Sequence, residues 1–321
     1  MDRDSQTNPE FNAIISGGRL FQEWCCGMFF VGEKVRLNWA KSNQKKIKAE
    51  KYSGLIDAVN NNDDLNEVGT KIILPPSHIG SPRWYTERFQ DSMAVVRKYG
   101  KPDLFITMTA SSDWPEISES LGPGQLSHDR PDIVARVFEM KSTQLLEDLM
   151  DGAVLGEVIG YLAIVEWQKR GLPHMHILIF LAPKDKPKTP SDIDRIVCAE
   201  IPDPNINPFL HQLVKSKMVH GPCGLYNPSS PCMINSEKKC EKGYPKNYQP
   251  QTTTTEQGVT SYRRRAKYDG GHLFVKKVKE EEKTFGNRWV VPYNPLLLLK
   301  YKCHINVEVC TSTSKSFYVG L

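Results

Sequence analysis

The sequence lacks any long run of apolar residues. No stretch of its 321 residues approaches the ~20 apolar residues that a membrane-spanning helix needs. Its first residues, Met1-Asp2-Arg3-Asp4, are also too polar for a signal peptide. We therefore expect an intracellular chain without a membrane segment, whose 8 cysteines serve as thiols or metal ligands rather than in disulfides.

An excess of charge of one sign is missing as well. The 42 basic and 37 acidic residues leave a net charge of +5, which permits a polyanionic partner without requiring one. The sequence has no internal repeat and no Gly-x4-Gly-Lys-Ser/Thr loop, the signature of a P-loop nucleotide site. A hydrophobic fraction of 39% is typical of a globular protein that buries a core.

The spacing of apolar residues predicts an α+β fold in four regions. Residues 1–99 are predicted to be helical, and Gly100 ends their last helix. The remaining regions are a sheet-containing core at 100–200, a cysteine-rich insert at 201–260 and a C-terminal part of the core at 261–321. Within them the sequence predicts strands at 102–110, 154–167 and 304–309, helices at 132–150 and around 191–194, a helical turn at 294–300, and a hairpin at 262–282.

Two histidines begin the strongest predicted strand. Gly171-Leu172-Pro173 feeds into His174-Met175-His176 and a run of apolar residues, so both histidines should lie on one face. The short preceding loop predicts an antiparallel hairpin, which would bring Glu166 and Gln168 alongside them. Such a group can bind Mg²⁺ or Mn²⁺, with Glu166 or Gln168 as oxygen donor. The alternative is a pair of edge-strand histidines with a solvated glutamate.

A second cluster lies in the irregular insert. His220, Cys223, Cys232 and Cys240 stand within a segment rich in Gly, Pro and Asn, a pattern typical of a structural Zn²⁺ site. The alternative is a set of free thiols in a loop. Two other cysteine pairs lack ligand spacing and are predicted to be core residues: Cys25/Cys26 and Cys303/Cys310.

Two further features suit phosphate chemistry. Tyr318 is a candidate nucleophile, because a tyrosine hydroxyl can attack a phosphodiester when a cation polarises the phosphate. Basic residues alternate with aromatic ones in a segment that could follow a nucleic-acid backbone, although a solvated hairpin explains it nearly as well. Its candidate nucleic-acid-binding residues are Arg263, Arg264, Arg265 and Lys267.

Several of these motifs together resemble Helitron-type transposases. Residues 100–109, Gly-Lys-Pro-Asp-Leu-Phe-Ile-Thr-Met-Thr, resemble the first motif of rolling-circle initiators in its Helitron form. Residues 166–176 resemble the family's HUH motif (His, hydrophobic, His), and residues 220–246 its cysteine-rich insert. Residues 287–295 and 304–310 are similar to its C-terminal blocks, so the resemblance covers nearly the whole chain.

The resemblance implies a Rep-type (HUH) endonuclease domain. The fold would be a central antiparallel sheet flanked by helices, with the HUH histidines on a middle strand. His174, His176 and Glu166 or Gln168 would hold the catalytic metal, and Tyr318 would be the first of two catalytic tyrosines. The partners implied are single-stranded DNA and the rest of a transposase with its helicase motor, and the implied location is the nucleus.

The sequence also departs from the family pattern. The second tyrosine would fall four residues after Tyr318, beyond Leu321, and Phe317 and Val319 stand where the family usually has Lys and Leu. We therefore expect a fragment without the helicase motor. Two functions follow from the resemblance: metal-dependent nicking and strand transfer through a phosphotyrosine, or DNA binding alone by an inactive relic or domesticated fragment. A zinc-stabilised scaffold without a nucleic-acid role is a third hypothesis.

Overall fold

The computed structural model describes residues 12–48, 72–151, 154–167, 171–234, 239–255, 259–278 and 280–310. The chain divides into two compact units. The first comprises the residues up to Lys98 and Ser118–Ile133, and the second comprises Tyr99–Ile117 and the residues from Val134 onward. Within the described residues, every helix is too short or too polar to cross a bilayer.

The described residues of the first unit are mainly helical, as the sequence predicts for residues 1–99. Its helices are α1 (Arg19–Ser42), α2 (Gln44–Lys48) and most of α3 (Pro82–Tyr99), with short 3-10 helices at Ile15–Gly17 and Ser127–Asp129. Gly100 follows α3 with φ +82, a left-handed conformation that glycine adopts without steric cost. Residues 72–75 belong to neither a helix nor a strand, and the helical prediction for residues 1–11 and 49–71 lies outside the described residues.

The second unit is built on a four-stranded antiparallel sheet. Its strands are β1 (Leu104–Thr109), β2 (Val158–Trp167), β3 (Pro173–Leu181) and β10 (Ile305–Val309), in the order β10-β1-β3-β2. The helices of this unit are α4 (Pro115–Ser118), the greater part of α5 (Pro131–Met150), α6 (Pro190–Ile196), α7 (Pro208–Lys217) and α8 (Pro295–Tyr301). The fold is therefore α+β, and β3 is an inner strand, as predicted.

The two faces of the sheet differ in character because side chains alternate along each strand. In β1, Leu104, Ile106 and Met108 are completely buried, while the residues between them are partly exposed. The paired residues of β3 and β10 follow the same alternation: Met175 and Ile305 lie opposite Met108, and Ile177 and Val307 lie opposite Ile106. One face thus belongs to the core, and the other face carries both histidines of β3.

Smaller elements fill the cysteine-rich and C-terminal segments. They are the two-stranded pairs β4 (Met233–Ile234) with β5 (Lys239–Cys240), β6 (Thr253–Thr254) with β7 (Thr260–Ser261), and β8 (Leu273–Val278) with β9 (Glu281–Gly286), plus 3-10 helices at Lys267–Asp269 and Asn287–Trp289.

Two predictions need correction, and one helix was not predicted. The hairpin predicted at 262–282 begins only at Leu273, because the chain turns at Gly270 and Gly271, where a Cβ on Gly271 would lie 2.1 Å from the carbonyl oxygen of Arg265. Helix α7 has no counterpart in the sequence analysis. Cys303 and Cys310 are buried as predicted, but Cys25 is only partly buried and Cys26 is exposed, because their helix α1 buries other residues.

Asn294 fixes the start of α8 and offers a test of this arrangement. Its Oδ1 accepts hydrogen bonds from the backbone N–H groups of Leu296 and Leu297, while its Nδ2 donates to the carbonyl of Ile196. The side chain is 3% exposed, so the loss of these bonds leaves buried groups unpaired. We expect Asn294→Ala to lower the free energy of unfolding by about 2 kcal/mol in urea denaturation. The exposed Asn205→Ala is the control, and equal stabilities of the two variants would contradict this role.

Candidate metal centres

The histidine pair lies where the hairpin prediction places it. In the antiparallel pairing of β2 with β3, Glu166 lies opposite His174, and Ile164 lies opposite His176. The two imidazole rings have centroids 6.3 Å apart and lie on the half-exposed face of the sheet, called the histidine face below. The carboxylate Oε2 of Glu166 approaches Nε2 of His176 at 3.5 Å. Glu166 and the two histidines are therefore brought together.

Two threonines of β1 orient the histidines. The register pairs Thr107 with His176 and Thr109 with His174. The Oγ1 of Thr107 lies 2.9 Å from Nδ1 of His176, and the Oγ1 of Thr109 lies 3.2 Å from Nδ1 of His174. When each Nδ1–H donates to its threonine, each Nε2 keeps its lone pair for a metal.

The Nε2 atoms of the two histidines, together with the carboxylate of Glu166, fit a divalent cation. Nε2 of His174 is buried and has no hydrogen-bond partner among the described residues. A buried nitrogen in that state lacks a compensating interaction, which a metal–ligand bond would supply. Imidazole nitrogens with a carboxylate oxygen are a donor set suited to Mn²⁺ and, with more oxygen ligands, to Mg²⁺. His174, His176 and Glu166 therefore fit a divalent cation of this kind.

The surroundings of His174 favour its neutral form. Burial lowers the pKa of His174. Electrostatic repulsion from His176 and His304 lowers this pKa further, and the carboxylate of Glu166 has a smaller opposing effect. Phe105 stacks on the ring of His176, with centroids 5.6 Å apart and planes 9° apart, which restricts the rotation of that ring. The other two residues predicted for this centre, Gln168 and Tyr318, lie outside the described residues.

The second candidate centre is the His/Cys cluster of His220, Cys223, Cys232 and Cys240. One ligand atom from each residue lies within 4.8 Å of all the others, and Nε2 of His220 is 3.3 Å from Sγ of Cys240. A tetrahedral zinc site with Zn–S bonds of about 2.3 Å places its sulfurs about 3.8 Å apart. The cluster is therefore already compact enough for Zn²⁺.

Local structure assembles this cluster. The pairing of β4 with β5 sets Met233 opposite Cys240, so Cys232 and Cys240 lie at one end of a small hairpin. Tyr244 stacks on His220 with ring centroids 4.3 Å apart. Burial works against ionisation of Cys240, but hydrogen bonds from the backbone N–H groups of Tyr244 and Lys242 outweigh it and lower the pKa of this thiol. A stabilised thiolate is the form that binds zinc.

The basic segment is held mainly by the protein itself. Arg264 is 4% exposed, and its guanidinium donates to the carbonyls of Asn287 and Val290 at 2.6 Å each. Arg263 and Arg265 form ion pairs with the buried Glu200 at 3.2 and 2.7 Å. Burial works to raise the pKa of Glu200, but its hydrogen bonds with Arg265 outweigh that effect and lower it. Arg264 thus faces inward, Lys267 is exposed, and nucleic-acid binding by the segment stays a prediction.

A comparison with known families matches the part of the chain that contains the histidine pair. Residues 3–179 match the family described as the Helitron helicase-like domain at the N-terminus. The chain belongs to this family. The match covers more than half of the 321 residues and includes β1, β2 and both histidines of β3. The search of curated proteins found no match.

The matched part of this Helitron-like domain ends at residue 179, so the His/Cys cluster lies outside it. The threonines that orient the histidines lie inside it, in the segment 100–109. That segment is recognisable as a motif in the sequence, but no role was predicted for Thr107 or Thr109. Their period-two spacing matches that of the histidines, and this was the signal available in the sequence.

The His/Cys cluster gives a direct prediction. We expect the purified protein to contain one zinc ion per chain, measured by elemental analysis, and Cys223→Ser or Cys240→Ser to lose it. Removal of zinc by a chelator should lower the unfolding temperature, since thiolate–metal bonds crosslink a segment with few apolar residues. Cys26→Ser, at an exposed cysteine of α1, should keep both properties. Stoichiometric zinc in Cys223→Ser would show that the cluster is not the site.

Proposed function

We propose that this Helitron-like domain binds single-stranded DNA and nicks it in a metal-dependent reaction through a tyrosine–DNA intermediate. The observation that supports this most directly is the orientation of the histidine pair. Both Nδ1 atoms are occupied by hydroxyls of β1, and the Nε2 of His174 is buried without a partner among the described residues. Such an arrangement prepares ligands for a cation rather than serving packing alone.

His174, His176 and Glu166 would hold Mg²⁺ or Mn²⁺, with Gln168 as the alternative oxygen donor. When bound, the cation polarises a phosphodiester and offsets the charge that develops during attack. Thr107 and Thr109 orient the imidazole rings, and Phe105 restricts the rotation of the His176 ring. Gln168 and the nucleophile Tyr318 come from segments outside the described residues.

The proposed chemistry is a phosphoryl transfer. The hydroxyl oxygen of Tyr318 forms a bond to phosphorus, and the bond between phosphorus and the 3′ oxygen of the preceding nucleotide breaks. The tyrosine hydroxyl loses its proton, and the departing 3′ oxygen gains one. The products are a 5′-phosphotyrosyl strand and a free 3′ hydroxyl, and the transfer needs neither a nucleotide cofactor nor an oxidant.

The decisive experiment is incubation with single-stranded DNA and Mn²⁺, followed by denaturing electrophoresis to detect a covalent adduct. We expect the wild-type chain to form the adduct and Tyr318→Phe to lose it, because the phenyl ring has no attacking oxygen. Tyr268→Phe is the matched control, since Tyr268 is 87% exposed. Absence of an adduct in the wild type, together with retained DNA affinity, would overturn the nicking proposal and favour the DNA-binding module.

The threonines allow a test of the metal centre that does not depend on cleavage. We expect Thr107→Val/Thr109→Val to bind Mn²⁺ about 10- to 100-fold more weakly, because the imidazoles lose the groups that orient them. Titration calorimetry measures this on protein whose His/Cys cluster is first saturated with zinc. Thr86→Val, at an exposed threonine of α3, should leave the affinity unchanged. Unchanged affinity in the double variant would show that the threonines do not support a metal site.

A further inference from the structure

A cleft of about 860 Å³ opens beside the edge strand β10. Its volume lies in the range of small-ligand sites. One wall includes Asn306 and Glu308, which share one face of β10, and His304, which lies just before that strand. Other lining residues come from the insert and include His220, Lys242, Tyr244, Lys246 and Thr260. Neither the proposed metal ligands of β3 nor the threonines of β1 line this cleft.

The cleft wall continues the histidine face across the sheet. The register pairs Asn306 with Thr107, and Thr107 in turn with His176. Residues paired in this way point to the same side of an antiparallel sheet. Two strand spacings, about 10 Å, therefore separate the position of Asn306 from that of His176. A strand of DNA bound at the histidines would reach the cleft with a neighbouring nucleotide.

Asn306 carries an unsatisfied acceptor in this cleft. Its Nδ2 donates to Oε1 of Glu308 at 3.2 Å, while its Oδ1 is buried with no hydrogen-bond partner in the described part of the chain. The contact with Glu308 fixes the orientation of the amide, because only the nitrogen can donate to a carboxylate. The free position is therefore a hydrogen-bond acceptor, and it requires a donor from a ligand.

The side of the cleft formed by the insert is suited to an anion. Lys242 is exposed, and the Nζ of Lys246 donates to the carbonyl of Lys242 and lies 5.0 Å from the ring centroid of Tyr244. The hydroxyl of Thr260 is a second buried polar group of the cleft without a partner among the described residues. A ligand with a donor at one end and a phosphate at the other matches both sides.

We propose that this cleft binds one nucleotide of single-stranded DNA whose base carries an exocyclic amino group. The amino group of adenine, cytosine or guanine donates to Oδ1 of Asn306, and the adjoining phosphate lies toward Lys242 and Lys246. Asn306 is thus a specificity residue, since thymine has no such amino group. This inference rests on the proposed function for the presence of DNA, but not on cleavage.

The test compares oligonucleotides that differ only in the amino group. Fluorescence anisotropy would measure the affinity of the full chain for a 20-nucleotide strand of deoxyadenosine and for one in which unsubstituted purine replaces adenine. Cytosine and 2-pyrimidinone form the second pair, and guanine and hypoxanthine form the third. We expect about tenfold tighter binding of the amino-bearing strand in at least one pair, a typical value for one base contact. Asn306→Ala should abolish that preference and keep the affinity for the strand without amino groups.

Controls separate this proposal from the proposed function. Asn205→Ala should retain the preference, and zinc content and thermal unfolding establish that Asn306→Ala is folded. A wild-type chain that binds both members of each pair equally, or a preference that survives in Asn306→Ala, would overturn the inference while leaving adduct formation intact. A chain that binds no single-stranded DNA overturns the proposed function and this inference together. An adduct lost only in Tyr318→Phe, with base preference retained, supports both.

Discussion

The antiparallel register between β1 and β3 is the constraint on which the candidate site depends. It sets Thr107 beside His176 and Thr109 beside His174, while the alternate residues of both strands enter the core. A shift of one residue would turn both histidines into the apolar side and expose Met175 and Ile177. The burial of those side chains therefore fixes the same register that orients the imidazoles, and stability and site geometry have one cause.

A second constraint holds the insert in place. The carboxylate of Glu200 is buried, and it accepts hydrogen bonds from the backbone N–H and guanidinium of Arg265 and from the guanidinium of Arg263. Asn287 joins the same region by donating to the carbonyl of Arg265 and accepting from the backbone N–H of Ile201. A buried carboxylate is tolerated only when such partners compensate for the lost water. The basic segment thus contributes to tertiary structure.

Much of the core was predictable because its signals are local. Alternating apolar residues predict β1 and β3, and the short loop between β2 and β3 predicts their hairpin, which brings Glu166 to the histidines. The spacing of Thr107 and Thr109 predicts that they share one face, but their contact with the histidines was not predictable because it depends on which strand lies beside β3. The arginines were interpreted as a surface because their partner Glu200 lies about sixty residues earlier in the chain. Helix α7 was predictable in principle, since Pro208 begins it and Leu210, Leu213 and Val214 share one side.

The stacking of Tyr244 on His220 has a thermodynamic consequence. Both residues line the cleft, and His220 also belongs to the His/Cys cluster. The segment 220–244 therefore contributes both to the cleft and to the candidate zinc site. If zinc orders this segment, a ligand that binds in the cleft meets groups that are already in position. The protein then loses less conformational entropy when the ligand binds. The linkage is reciprocal, so a ligand bound in the cleft would raise the affinity for zinc by the same factor. Under the proposed function, zinc supply would then act as an allosteric input to DNA binding at a cleft separate from the histidine pair.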